Sequence, residues 1–231
     1  MEFEKYDPEK HGSWLYERVE NTAVEPGNVE EYRDVIWQGL EDIRDVFGIS
    51  SSFRIVFAET DLGKVEKLYG ENPPFSAYYT GMSLPGESRA PESLVFLKTT
   101  DEIEGWRSGL KYFLAHEVAH QEFFTKRRLQ LAMPVQMLFE GHAMHFSEKV
   151  SEEKGYGWGV RMKDIPEAEA GELKHQLDKK RNPEDTSGEN VSGLLDSEDE
   201  KWGDGKGYRI TFYLVDDVMD RRDLSVWICS R

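Results

Sequence analysis

Apolar residues recur at helical spacing from Val29 through Tyr32, Val35, Ile36, Leu40, Ile43, Val46 and Phe47, and the run stops at Gly48. Residues three and four apart share one helix face, so the pattern predicts an amphipathic helix with Asn28 as N-cap and Glu31 at its third position. Phe53 to Ala58 is rich in β-branched and aromatic residues and predicts a strand. Asp61 to Tyr69 predicts a short helix ended by Gly70 and Asn72-Pro73-Pro74. Ser76 to Met82 and Leu94 to Lys98 are β-prone, and a polar loop containing Pro and Gly joins them. A long helix follows, carrying Trp106, Leu110, Phe113 and Leu114 as core anchors, with Thr100 or Asp101 as its cap and an end near Lys126. The basic run Lys126-Arg127-Arg128 suits the negative end of that helix's dipole. Pro134 fits the first turn of a second helix.

The two ends of the chain are patterned less sharply. The first twenty-five residues are charged and aromatic, with Trp14, Leu15 and Tyr16 the cluster suited to burial, and they predict an irregular arm or short helix. Beyond Gly155-Tyr156-Gly157-Trp158-Gly159, Pro166 to Lys180 is a polar helix candidate. Residues 181–205 are acidic and poor in large apolar groups, which predicts a long mobile loop, either a lid beside a cleft or disorder without function. Tyr208, Phe212, Val215 and Met219, with Ile210, Leu214 and Val218, predict a C-terminal helix packed on the two long ones. The sum is an α+β fold of one domain over residues 1–231: a small mixed sheet, a helix pair and a C-terminal helix.

Composition narrows the partners. A chain of 231 residues can bury a full core. Against 29 Lys and Arg stand 45 Asp and Glu, a net charge of −16 that repels nucleic acid and anionic membranes. The one cysteine, Cys229, excludes an internal disulfide framework and fits a reducing compartment. Met1-Glu2-Phe3-Glu4-Lys5 lacks the basic and apolar regions of a signal peptide. The apolar-leaning stretch Leu129 to Phe146 is broken by Pro134, Glu140 and two His and is too polar to span a bilayer. A cytoplasmic protein is the expectation.

The chemistry lies in the first long helix. Leu114-Ala115-His116-Glu117-Val118-Ala119-His120 contains H-E-x-x-H. Four residues apart on a helix, both imidazoles project from one face and can share an ion. Neutral imidazole suits zinc, which at catalytic sites takes three protein ligands and leaves a fourth position for water. Glu117 is placed to take a proton from that water. The third ligand is expected from an element folded against this helix, and Glu140, twenty residues after His120, supplies it on the second helix.

H-E-x-x-H followed at this distance by Glu140-Gly141-x-Ala143 resembles the gluzincin zinc metallopeptidases, the clan of the thermolysin-like proteases and the aminopeptidase N-like enzymes. The string Glu140 to Phe146 is also similar to the E-G-x-A-x-H-F of small predicted zinc-dependent proteases of bacteria and archaea. The resemblance covers about 130 residues loosely and some ten of them specifically. It implies a zinc peptidase with His116, His120 and Glu140 as ligands of one Zn2+ and Glu117 as general base. It also implies that a strand preceding the metal helix forms the sheet edge above the cleft, which nominates Ala77, Tyr78 and Tyr79 as substrate-backbone contacts. The alternative for those three is plain core or hairpin packing.

Thermolysin-like enzymes carry an Asp one turn after the Glu ligand to orient a zinc-bound His, and Met144 stands there instead. Another group has to fill that role. His145 matches the His of the small predicted proteases and is either catalytic or structural, whereas His142 points to another face. Zinc peptidases use a Tyr, His or Arg to steady the oxyanion, and Tyr208 and Arg209, after Gly205-Lys206-Gly207, are candidates, with packing and solvation as their other reading. A peptide or protein substrate is the expected partner. Two other readings stay open: a zinc-binding regulatory or recognition protein with little hydrolytic activity, and an acidic helical interaction protein whose motif is coincidental. Endo- or exopeptidase action and oligomeric state are both undetermined by the sequence.

Overall fold

A computed structural model of the chain describes residues 2–15, 17–49, 51–71, 73, 75–84, 93–126 and 133–157. The chain divides into two compact units, Met1–Arg127 with Lys149–Gly159 and Arg128–Glu148 with Val160–Arg231. In the second unit the described residues are 133–148, all within one helix.

The first unit is built on a five-stranded mixed sheet. Its central strands are β3 (Arg54–Thr60) and β5 (Leu94–Thr99), paired in parallel with Ile55 opposite Val95 and Phe57 opposite Leu97. Strand β1 (Glu2–Lys5) runs parallel to β3 on its far side, and β2 (Ala23–Val24) pairs antiparallel with the end of the same strand. Strand β4 (Thr80–Leu84) pairs antiparallel with β5 and is last in the sheet order among the described residues. The helices of the first unit are α1 (Pro8–His11), α2 (Glu17–Glu20), α3 (Val29–Phe47), α4 (Leu62–Tyr69), α5 (Phe75–Tyr78) and α6 (Trp106–Lys126). The next helix, α7, runs continuously from Met133 to Lys154. This is the α+β architecture that the pattern predicts.

Alternation along the strands gives the sheet two buried faces. Val56, Ala58, Leu84, Leu94 and Phe96 pack with Tyr6, Val19 and Ala23 of the N-terminal arm, and Trp14, Leu15 and Met82 lie against that cluster. Ile55, Phe57, Val95 and Leu97 alternate to the opposite face, where Tyr32 of α3 meets Phe57 with ring centroids 4.4 Å apart. Helix α6 packs on β4 and β5, and α3 packs on α6. Each such side chain contributes about 1.5–3 kcal/mol by leaving water. Gly39 lets α3 and α6 approach closely, since a Cβ there would stand 2.9 Å from Leu114 Cδ2 and 3.2 Å from Lys111 Cγ.

Asp42 of α3 ties three elements of this unit together. Tyr156 donates to its carboxylate at 2.8 Å, and Lys111 and Lys154 approach it at 3.4 and 3.9 Å. Burial, and then the bond to Asp42, hold the Tyr156 phenol well above its ordinary pKa.

Most helix limits fall where the pattern predicts them. Helix α3 starts after Asn28 and ends at Gly48, although the Asn28 side chain accepts no capping bond from the backbone and its amide donates to the Glu31 carboxylate. Asp61 caps α4 by accepting from the Lys64 N–H. Three expectations are corrected. The arm is not merely irregular or helical, because β1 and β2 join the sheet through backbone pairing that a charged Glu-Phe-Glu-Lys segment does not advertise. The strand expected over 76–82 begins only at Thr80, after one helical turn. Neither Thr100 nor Asp101 caps α6: Thr100 Oγ1 accepts from Glu102 N in a preceding turn, and the Asp101 N–H donates to the Tyr32 hydroxyl. The helix candidate 166–180, the acidic stretch 181–205 and the C-terminal helix with Tyr208 and Arg209 lie outside the described residues. Among the described residues no helix is long and apolar enough to cross a membrane.

Candidate metal centre

Helix α6 carries the motif in its interior, where every backbone group is satisfied within the helix and side-chain direction is set by the 3.6-residue period. Leu110, Leu114, Ala115, Val118 and Ala119 form its buried flank and fix its rotation. His116 and His120 then stand one above the other, their rings 4.7 Å apart and nearly perpendicular, with the two Nε2 atoms 3.1 Å apart. Metal–nitrogen bonds of about 2.0–2.1 Å at tetrahedral angles put two nitrogens about 3.3 Å apart, so this geometry matches a shared ion.

Glu140 of α7 completes a group that could hold a metal ion. One ligand atom from each of His116, His120 and Glu140 lies within 4.8 Å of the others. Two imidazole nitrogens and a carboxylate oxygen form a donor set that fits a divalent ion and leaves a coordination position open.

Glu117 is 5% exposed, and its carboxylate lies against the edge strand β4. The contact is with Gly81, where a Cβ would come within 2.5 Å of Glu117 Oε1. Two residues earlier along the chain, Tyr79 stacks on Phe113 of α6 with centroids 5.6 Å apart. Two residues along a strand advance about 6.7 Å and four along a helix about 6 Å, so Tyr79 and Gly81 keep step with Phe113 and Glu117. Gly81 belongs to no motif in the sequence. An isolated Gly inside a β-prone segment is the available signal, since it marks close approach by other groups.

Two side chains beyond His120 anchor this part of α6. Gln121 Nε2 donates to the Leu94 carbonyl at 2.9 Å, at the start of β5. Glu122 accepts from both the Ser51 N–H, at 2.7 Å, and the Ser51 hydroxyl, which fixes the segment entering β3. Both are buried polar groups that the hydrophobic pattern does not reveal.

The remaining nominated residues fall as follows. Ala77 and Tyr79 are buried and Tyr78 is half-buried. The Ala77 carbonyl accepts from Lys98 Nζ at 3.2 Å and the Tyr78 carbonyl from the Thr60 hydroxyl at 2.9 Å, so both point into the fold. Among the described residues the strand outermost on the β5 side of the sheet is Thr80–Leu84. His142 and His145 are half-buried on α7, and Met144 is buried. The chain matches no protein-family model, no curated protein and no solved structure.

Proposed function

We propose that the chain is a zinc-dependent peptidase, with His116, His120 and Glu140 holding one Zn2+ and Glu117 acting as general base. The observation that carries this reading is the grouping of His116, His120 and Glu140, one ligand atom from each within 4.8 Å of the others, with the two histidine Nε2 atoms 3.1 Å apart and the buried Glu117 next to His116 in the chain. When bound, zinc supplies Lewis-acid polarisation of a carbonyl and makes water more acidic near neutral pH. Glu117 accepts the proton of the attacking water and passes it to the leaving amine. Strand β4 is outermost in the sheet order among the described residues, the position at which an extended peptide can add to a sheet, which favours a peptide over other amides as substrate. Tyr208 and Arg209 are the oxyanion donors nominated by this reading. An acidic surface and a single cysteine support a cytoplasmic setting without nucleic acid or lipid partners.

The test is digestion of a broad peptide library by the zinc-supplied full chain, followed by mass spectrometry. The expected outcome is a set of cleavage products that a chelator suppresses and added zinc restores. A chain that holds its metal and cleaves nothing is instead the regulatory or recognition protein.

A further inference from the structure

We infer that Gly81 is a positioning residue for Glu117: a strand position without a side chain is what admits the carboxylate to its place against β4. The inference deepens the peptidase reading and rests on it for its catalytic half, while its packing half stands on geometry alone.

Glycine at 81 is not explained by backbone conformation. It lies inside β4, paired with Leu97, and is not among the glycines with positive φ. Glycine in a strand interior weakens the strand, so another cause has to retain it. Space supplies that cause. A Cβ at 81 would stand 2.5, 2.7 and 2.9 Å from Glu117 Oε1, Cγ and Cδ, well inside van der Waals contact.

Neither partner can simply retreat. Tyr79 is stacked on Phe113 one helical turn before Glu117, and the ladder to β5 holds the other side of the strand. The helix is fixed in turn by Gln121 on the Leu94 carbonyl and by Glu122 on Ser51. With strand and helix both pinned, a methyl group at 81 forces the Glu117 side chain into another rotamer. The three heavy atoms nearest the added Cβ all belong to Glu117.

The test is Gly81→Ala made alone and in a Glu117→Ala background, in the full chain. In the single variant kcat is expected to fall on the order of 10²-fold, the effect of misplacing a catalytic group by about 1 Å, with KM and zinc affinity close to the parent's. The melting temperature of the apo protein is expected to drop in the parent background and to hold or rise when Glu117 is already Ala. Should the single variant not fold, recovery of folding in the double variant shows the same contact. A parent-like kcat in Gly81→Ala overturns the inference, and so does an equal stability loss in both backgrounds. If the parent itself hydrolyses no peptide, the peptidase reading fails, and the stability comparison still decides whether Gly81 makes room for Glu117.

Discussion

Glu117→Gln is expected to reduce peptide hydrolysis by about 10²–10⁴-fold, the usual contribution of a general base, while the protein keeps its metal. Gln has the shape of Glu and fits the same space beside Gly81. It cannot take a proton from water at neutral pH. The donor atoms of His116, His120 and Glu140 are unaltered by the change, so metal content should equal the parent's. The loss should appear in kcat with KM little changed, because the removed interaction belongs to the reacting water. Steady-state kinetics beside metal analysis of the same preparation check both halves. Full activity in the variant would remove Glu117 from its role.

Lys98→Met is expected to abolish a rise in stability that the parent shows between about pH 8 and 10. Lys98 is 2% exposed, and its ammonium reaches the Thr22 hydroxyl and the Ala77 carbonyl. Burial pushes its pKa from the ordinary 10.5 down to about 8. The unfolded chain therefore binds more protons than the folded one across that window, and stability climbs with pH. The contribution is fully present above the unfolded pKa and is lost as pH falls through about 8. At about 1.4 kcal/mol per unit, the whole span is worth about 3 kcal/mol. Tyr32 and Tyr156, whose phenols burial holds high, pull stability the other way above their ordinary pKa of 10. Denaturant unfolding of parent and variant from pH 7 to 10 measures the difference. Identical slopes would mean that Lys98 is hydrated in the folded state.

What the sequence made legible follows from how its signals are carried. Helix α3 shows its buried face as Tyr32, Val35, Ile36, Leu40 and Ile43 at helical spacing, and a positional motif fixed His116, Glu117 and His120 on α6. Glu140 was legible because a zinc site on His116 and His120 would need a third ligand, and its ligand atom does lie within 4.8 Å of theirs. Features carried by backbone or by absence stayed hidden. Strand β1 is held by pairing with β3, while its own residues are mostly charged. Gly81 contributes a missing Cβ. Lys98 follows four apolar residues and looks like a strand's exit into solvent, yet the N-terminal arm and the segment before β4 enclose its amine. The edge strand was misplaced by a few residues because Ala77 and Tyr78 have side chains that suit either a strand or a helical turn.

The most direct test of the metal centre is elemental analysis of protein purified without added zinc, then resupplied with zinc at neutral pH, beside His120→Ala and Glu140→Ala. One zinc per chain in the parent, almost none in His120→Ala and weakened binding in Glu140→Ala is the expected result. No metal in the parent even after zinc is supplied would contradict it and leave an acidic interaction protein whose histidines share a helix face by coincidence.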